Sequence, residues 1–210
     1  MYMIAANIKY QYVLKFQDCD KDCGDMAQKV VFDIDDTLWS LNKRIALRTG
    51  IDYNKMTIFS VHDNQNLTSE EKNLLLSSYA DSSIFENIEW DKGIELINEL
   101  NADVYINSNN LTQEIAEIKS QQIHEILNIP DDHITMNICN KKSDTTSKII
   151  DDDTYIFIDD SPHNIEMSNA KFNIMIRRPW NEHYLQSGIK SVIYADDLYD
   201  VLRHIKSILL

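Results

Sequence analysis

Two aspartates, Asp33 and Asp35, have the residue type and spacing for chemistry, and they stand at the end of the short apolar run at 29–34. Side chains two positions apart on an extended chain point to the same side, so these two carboxyl groups are expected to lie close together. Two like charges at that distance need a nearby cation, or one of them must keep its proton. The pair therefore suits phosphoryl transfer, in which one carboxylate attacks phosphorus while its neighbour protonates the leaving oxygen and later activates water.

The elements that must position this pair alternate between predicted strands and helices. Apolar, β-branched runs predict strands at 29–34, 104–107, 133–138, 155–158 and 173–177, with a further strand at 8–16. Helical patterns predict helices at 91–100, 111–127 and 144–150 and from about Asp196 to the end of the chain. This alternation predicts an α/β fold with a Rossmann-like, doubly wound parallel sheet and helices on both faces.

Two further polar clusters fall at the ends of predicted strands. Ser108 and Asn109 follow the strand at 104–107, in what we interpret as a polar stop, and Asp159 and Asp160 follow the strand at 155–158. Ligands of doubly wound sheets bind outside the carboxyl ends of the strands. We therefore expect both clusters to lie near the aspartate pair.

The stretch at 41–88 is more polar than its surroundings, has a helical pattern, and separates two predicted core strands. Thr68 and Glu71 have the spacing of a capping box at the start of a helix. We interpret this stretch as a small helical cap inserted after the first motif. The predicted domains are a core of residues 1–40 and 89–210 and a cap of residues 41–88.

Three of these motifs resemble those of the haloacid dehalogenase superfamily. The sequence Asp33-Ile-Asp35-Asp-Thr37 matches its DxDx(T/V) signature, the strand ending in Ser108 looks like its second motif, and residues 158–162 (IDDSP) resemble its acidic fourth motif. The motifs occur in the family's order and span the chain from about residue 29 to 178. The resemblance implies a phosphohydrolase that works through an aspartyl-phosphate intermediate.

The resemblance also implies roles for individual residues. Asp33 would be the nucleophile and Asp35 the general acid and base, while Ser108 would donate a hydrogen bond to a phosphoryl oxygen and Asn109 would bind phosphate beside it. The family's third motif supplies a lysine that neutralises the phosphate. We favour Lys148, with Lys142 as the next choice, and Lys141 is also a candidate.

A metal site is implied at the same place. The family pattern makes Asp33 and Asp160 metal-binding carboxylates, with Asp35 contributing its backbone carbonyl and Asp159 lying beside them. Oxygen ligands of this kind suit Mg²⁺, which binds through few carboxylates and keeps several waters. We also expect Asn164 to hydrogen-bond an acidic side chain of this group.

The size of the predicted cap resembles that of the 5′(3′)-deoxyribonucleotidase family, and so do the stretches 83–87, 158–164 and 178–181. This implies a nucleoside monophosphate substrate, with Phe59 of the cap as a candidate for stacking on the base. That family often has glycine where this chain has Asp36. Trp39 instead resembles the magnesium-dependent protein and sugar phosphatases, and a catalytically dormant binding module of the same fold is a third reading.

The overall composition limits the partners. With 34 acidic and 20 basic residues the net charge is −14, which repels a phosphate backbone, so we expect no duplex nucleic acid as a partner. No run approaches the roughly 20 apolar residues of a membrane span, and the first ten residues lack the order of a signal peptide. We expect a cytoplasmic protein that takes a small phosphorylated substrate and could form a homodimer.

Overall fold

A computed structural model describes residues 27–139, 152–184 and 192–210. The strands are β1 Lys29–Phe32, β2 Asp103–Asn110, β3 Ile134–Ile138, β4 Ile156–Asp159, β5 Phe172–Ile176 and β6 Ile193–Ala195. The α-helices are α1 Leu41–Thr49, α2 Ser69–Tyr79, α3 Gln113–Ile126, α4 Pro162–Met167 and α5 Leu198–Leu209. Short 3₁₀ helices occupy Tyr53–Lys55, Ser82–Ile84, Ile94–Glu99 and Asp131–His133.

The six strands form one parallel sheet in the order β3-β2-β1-β4-β5-β6. The chain winds outward from β1 through β2 to β3, then continues on the other side of β1 with β4, β5 and β6. This is the doubly wound, Rossmann-like order, so the predicted fold class is confirmed. The direction of winding reverses between β1 and β4, and such a switch point leaves a crevice at the carboxyl ends of the strands.

Side chains of successive strand residues enter two different apolar layers. In β1, Val30 and Phe32 belong to a large cluster that includes residues of α3 and α5, while Val31 belongs to a smaller cluster with Ile165 of α4. The strands are therefore covered on both faces, which explains why they are apolar runs rather than alternating patterns. This burial on both faces holds the carboxyl ends of β1 and β4 in place.

The segment 41–88, predicted as a helical cap, contains α1, α2 and two of the 3₁₀ helices and contributes no strand to the sheet. The predicted capping box is confirmed: the Thr68 hydroxyl accepts from the Glu71 backbone N–H at 3.2 Å, and the Glu71 carboxylate accepts from the Thr68 N–H at 2.8 Å. One side of this segment faces the carboxyl ends of β1 and β4.

Two details of the sequence interpretation were wrong. The predicted helix at 91–100 is a 3₁₀ helix over Ile94–Glu99, which begins after Gly93 in a left-handed conformation (φ 91°) and has no side-chain cap. The polar stop at Ser108 is also wrong, because β2 continues to Asn110. Its polar end pairs in register with β3, which satisfies the backbone groups that a polar sequence alone would leave to solvent.

The predicted strand at 8–16 and helix at 144–150 lie outside the described residues. The short strand β6 was not predicted, since a run of three residues carries almost no periodicity. Within the described ranges, every helix is too short or too polar to cross a membrane.

Candidate active site

The switch point of the sheet brings three buried carboxyl groups together. Asp33 follows β1 and remains tied to β4, because its backbone N–H donates to the Ile158 carbonyl at 2.9 Å. Asp159 ends β4 and Asp160 follows it. One carboxylate oxygen from each of the three aspartates lies within 4.8 Å of the other two, and all three residues are buried. Residues far apart in the chain thus form one acidic cluster, as the placement of the motifs predicted.

Asp159 is held from both sides. One of its carboxylate oxygens accepts from the Ser161 backbone N–H at 2.7 Å, and the other accepts from Asn164 Nδ2 at 3.0 Å. The expected hydrogen bond from Asn164 to an acidic side chain is therefore confirmed. These donors keep Asp159 fixed in its buried position.

Asp160 is held by the stretch that follows β5. Trp180 Nε1 donates to its carboxylate at 2.8 Å, and Asn181 Nδ2 donates to its backbone carbonyl at 2.8 Å. Burial raises the pKa of Asp160 well above its ordinary value, and the charges of Asp159, Asp36 and Asp33 raise it further. A group in this environment is stabilised in its charged form only when a positive charge is near.

The cluster fits a divalent cation. Three buried carboxylates without a balancing charge are costly, and oxygen donors a few ångströms apart are the ligands of hard cations such as Mg²⁺. Asp33, Asp159 and Asp160 are the described residues that can hold such an ion.

Asp35 faces the same region but has different partners. Trp39 Nε1 donates to its Oδ1 at 3.0 Å, and the ammonium group of Lys119 pairs with its Oδ2. Lys119 is only 1% exposed and also lies over the ring of Phe85, with its Nζ 4.8 Å from the ring centroid. Both oxygens of Asp35 therefore have a donor from the protein.

Lys119 was missed in the sequence analysis, although the sequence contains a signal for it. It stands midway between Ile115 and Ile123 on α3, four residues from each, and both of these isoleucines are buried. A lysine at that position lies on the apolar face of the helix, where an unpaired charge is unfavourable. Such a lysine therefore indicates a carboxylate partner, which here is the partly exposed Asp35.

Asp36 has the conformation that explains why related motifs often carry glycine there. Its φ is 56°, in the left-handed region where glycine and, less often, Asp or Asn are tolerated. The Asn42 backbone N–H and Nδ2 donate to its two carboxylate oxygens at 3.0 and 2.7 Å, and Arg178 Nε donates to its carbonyl at 2.8 Å. Burial raises the pKa of Asp36 to about 8, with Arg178 acting in the opposite direction.

The predicted phosphate-binding residues of β2 occupy different surroundings. Ser108 is fully buried, and its hydroxyl has no hydrogen-bond partner among the described residues. Its position in β2, two residues after Ile106, places its side chain on the same face of the sheet as Ile106, and Ile106 belongs to the larger core cluster. Asn109 and Asn110 line the cavity described next, and Asn109 Oδ1 accepts from Asn137 Nδ2 at 3.1 Å.

A cavity of about 390 Å³ lies between the acidic cluster and the 41–88 segment. Its floor carries five carboxylates from the ends of β1 and β4: Asp33, Asp35, Asp36, Asp159 and Asp160. The residues of the 41–88 segment that line it are mostly apolar or aromatic: Leu41, Met56, Ile58, Phe59, Val61, Leu67, Leu75, Leu76, Tyr79 and Phe85. The predicted base-stacking residue Phe59 is among them and is 55% exposed. The cavity therefore has a charged end and an apolar end.

Among the described residues that line this cavity, Lys119 is the one cation. The lysines predicted for the third motif, Lys141, Lys142 and Lys148, lie outside the described residues. Those assignments stay predictions.

Solved structures share this fold. A protein from Clostridium difficile assigned as a phosphatase is 14% identical, with a TM-score of 0.56 over 88% of this chain and 99% of that chain. A hydrolase from Pseudomonas syringae is 15% identical, with a TM-score of 0.50 over 87% of this chain and 99% of that one. A protein from Bacteroides vulgatus assigned as a β-phosphoglucomutase is 13% identical, with a TM-score of 0.50 over 87% of this chain and 90% of that chain.

Solved structures with lower TM-scores, 0.45 and 0.48, include hydrolases of the haloacid dehalogenase superfamily. No family model matches the sequence, and no curated protein matches it either. At this level of identity, the similarity shows the fold.

Proposed function

We propose that this chain is a Mg²⁺-dependent phosphomonoester hydrolase of the haloacid dehalogenase superfamily that acts on nucleoside monophosphates. The observation that carries the proposal is the cluster of Asp33, Asp159 and Asp160, whose buried carboxylate oxygens lie within 4.8 Å of one another at the switch point of the sheet. Asp35 lines the same cavity and supplies a fourth carboxyl group with separate partners. Two carboxyl groups in different surroundings suit two different chemical roles.

In the first half of the reaction, a carboxylate oxygen of Asp33 attacks phosphorus in line with the ester oxygen. The P–O bond to the leaving group breaks as the new bond forms, and the protonated carboxyl group of Asp35 gives its proton to the leaving oxygen. The products of this half are the free alcohol and an aspartyl phosphate on Asp33, with Asp35 left as a carboxylate.

In the second half, Asp35 accepts a proton from a water molecule as that water attacks phosphorus. The bond between phosphorus and the Asp33 oxygen breaks, inorganic phosphate leaves, and Asp35 regains its proton for the next cycle. Asp33, Asp159 and Asp160 would hold Mg²⁺ throughout, and the ion would neutralise the clustered negative charge around the phosphoryl group.

The two ends of the cavity support the substrate class. A volume of about 390 Å³ is within the usual range of roughly 300–1,000 Å³ for small-molecule sites. Phe59 offers exposed aromatic surface on the 41–88 side of the cavity, which suits a planar ring better than a sugar with several hydroxyl groups. A nucleoside monophosphate has its phosphate and its base at opposite ends, which matches this division.

The test is a panel of phosphomonoesters that includes p-nitrophenyl phosphate, all ribo- and deoxyribonucleoside monophosphates and several sugar phosphates, each with Mg²⁺ and with EDTA. We expect Mg²⁺-dependent release of phosphate, fastest with a nucleoside monophosphate. Asp33→Asn should abolish turnover, because an amide cannot attack phosphorus.

Asp132→Asn is the matched control, since it makes the same change on an exposed 3₁₀ helix outside the cavity and should keep full activity. Absence of turnover by the wild-type protein across the panel would contradict the hydrolase. A preference for sugar phosphates would contradict only the substrate class.

A further inference from the structure

We propose that Lys119 is a positioning residue that, together with Trp39, holds the carboxyl group of Asp35 in its working orientation. This inference rests on the proposed function, because it assigns Lys119 a part in the acid and base steps of Asp35. Its basis is the geometry around that carboxyl group, which lies on the cavity side of α3.

The two donors reach Asp35 from different elements. Trp39 Nε1 donates to Oδ1 at 3.0 Å from four residues further along the same loop, while Lys119 pairs with Oδ2 from the middle of α3, 84 residues away. With one donor on each oxygen, rotation of the carboxyl group would break at least one hydrogen bond. Hydrogen bonds with a charged partner are about twice as strong as neutral ones, so Lys119 is the stronger of the two restraints.

The side chain of Lys119 is itself restrained. It is 1% exposed, and its ammonium group lies 4.8 Å from the centroid of the Phe85 ring, which in turn packs edge-on against Trp39 with 5.9 Å between ring centroids. Asp35, Trp39, Phe85 and Lys119 therefore form a closed ring of contacts. No member of this ring can move far without displacing the next.

Helix α3 is also tied to the chain around Phe85. One turn after Lys119, Gln122 Nε2 donates to the Phe85 carbonyl at 2.6 Å, and Gln122 Oε1 accepts from the Ile88 backbone N–H at 2.6 Å. These bonds fix the distance between α3 and the segment that carries Phe85. The ammonium group of Lys119 is therefore directed at Asp35 by the fold and does not depend on a flexible surface side chain.

The ring predicts how substrates will differ in their response to a change at Lys119. Alkyl phosphates need a proton on the leaving oxygen, whereas p-nitrophenolate departs readily as an anion. Lys119→Met should therefore lower kcat/KM, which reports the steps up to the aspartyl phosphate, by about 10- to 100-fold for ethyl phosphate and by less for p-nitrophenyl phosphate; this is at or below the roughly 10²- to 10⁴-fold that general acid–base catalysis supplies, because Asp35 itself is retained. KM should change less than about threefold, because binding in the ground state is retained.

The deciding experiment is a double-mutant cycle with Asp35→Asn, followed by kcat and KM on both substrates. If Lys119 acts through Asp35, the double variant D35N/K119M should be no slower than D35N alone. Lys119→Leu carries the same cycle if the methionine variant does not fold, because leucine also removes the donor to Asp35, whereas Lys119→Gln keeps an N–H donor and should retain more of the wild-type rate. Lys206→Met, an exposed lysine on α5, is the control and should behave as the wild type.

Losses that multiply in the double variant, or a change in KM alone, would overturn the positioning role while leaving the hydrolase intact. Equal losses in kcat/KM on ethyl and p-nitrophenyl phosphate would overturn it too. A wild-type protein without turnover, or an Asp33→Asn variant with full turnover, would instead overturn the proposed function and the inference with it.

Discussion

The five carboxyl groups at the ends of β1 and β4 differ mainly in what surrounds them. Asp159 receives two hydrogen bonds, Asp35 is paired with a lysine, and Asp36 and Asp160 are buried with raised pKa values. Because the residue type is the same, these differences come from the neighbours that the fold supplies. Such separation of environments is how identical side chains acquire distinct chemical roles.

Asp160 allows a direct test of the proposed metal site. In Asp160→Asn the amide oxygen can still accept from Trp180 Nε1, so the local packing should be retained, but one charged ligand is lost. We expect the rise in Tm on addition of Mg²⁺ to disappear or shrink strongly, measured by thermal unfolding with and without EDTA. Asp132→Asn should keep the full rise, and an unchanged rise in the Asp160 variant would place the ion elsewhere.

The raised pKa of Asp36 predicts how stability depends on pH without metal. Its pKa is about 8 in the folded protein against 3.8 for the ordinary group, so the folded state binds more protons than the unfolded state between these values. The free energy of unfolding should therefore fall as pH rises from 6 to 8, by up to about 1.4 kcal/mol per pH unit for one proton.

Urea denaturation in EDTA at several pH values measures this slope. Asp36→Asn should reduce it, because asparagine does not titrate and tolerates the positive φ of this position, while the raised pKa of Asp160 accounts for slope that remains. Equal slopes for the variant and the wild type would show that Asp36 is ionised in the folded protein across this range.

At the scale of elements, α2 and α3 connect the 41–88 segment to the site. Helix α2 contributes Leu75, Leu76 and Tyr79 to the lining of the cavity, and α3 contributes Ile115 and Lys119. The N-terminus of α2 is capped by the capping box of Thr68 and Glu71. The Glu71 carboxylate also forms an ion pair with Lys55, with 2.8 Å between Oε1 and Nζ. The apolar residues of the 41–88 segment that line the cavity form what we call the apolar wall. The position of this wall therefore depends on the stability of the first turn of α2.

Thr68→Ala tests this dependence. It removes the side-chain acceptor of the Glu71 backbone N–H, and losing an N-cap of this kind costs about 1 kcal/mol. We expect the urea midpoint to fall by the corresponding amount with an unchanged m-value. Ser69→Ala, one residue further on, should leave the midpoint nearly unchanged, and a similar loss in both variants would mean that the cap hydroxyl is not the cause.

At the scale of the whole molecule, the proposed function assigns the chemistry and the choice of substrate to different parts of the chain. The carboxylates belong to strand ends of the sheet, which are buried on both faces, whereas the apolar wall belongs to the 41–88 segment. A change in the wall should therefore alter binding of the leaving group with little effect on the phosphoryl chemistry.

Phe59→Ala is the variant that separates the two. Phe59 is 55% exposed, so its loss should change stability little, while stacking on a base is worth roughly 1–3 kcal/mol. We expect KM for a nucleoside monophosphate to rise about tenfold and KM for ethyl phosphate to stay the same. Leu47→Ala, at an exposed residue of α1 outside the cavity, is the control, and equal changes for both substrates would contradict a role in base binding.

Much of the fold could be predicted because its signals are local. The apolar runs that became β1 and β4, the carboxylates that follow them and the capping box at Thr68 each depend on a few neighbouring residues. The parallel direction of the strands then followed from the alternation of strands and helices along the chain. The boundaries of β2 and of the 3₁₀ helix at Ile94–Glu99 could not be predicted, because pairing with β3 and the turn at Gly93 decide them.

The sequence by itself determined that Asp33 and Asp35 line one cavity and that a second acidic pair stands at the end of a strand, since both follow from local spacing along the chain. Only the tertiary structure decided which residues hold Asp35. Its pairing with Lys119 joins residues 84 positions apart and depends on how α3 packs across the sheet. No local sequence pattern encodes the contact between Lys119 and Asp35, because the packing of α3, Phe85 and Trp39 against one another brings the two residues together.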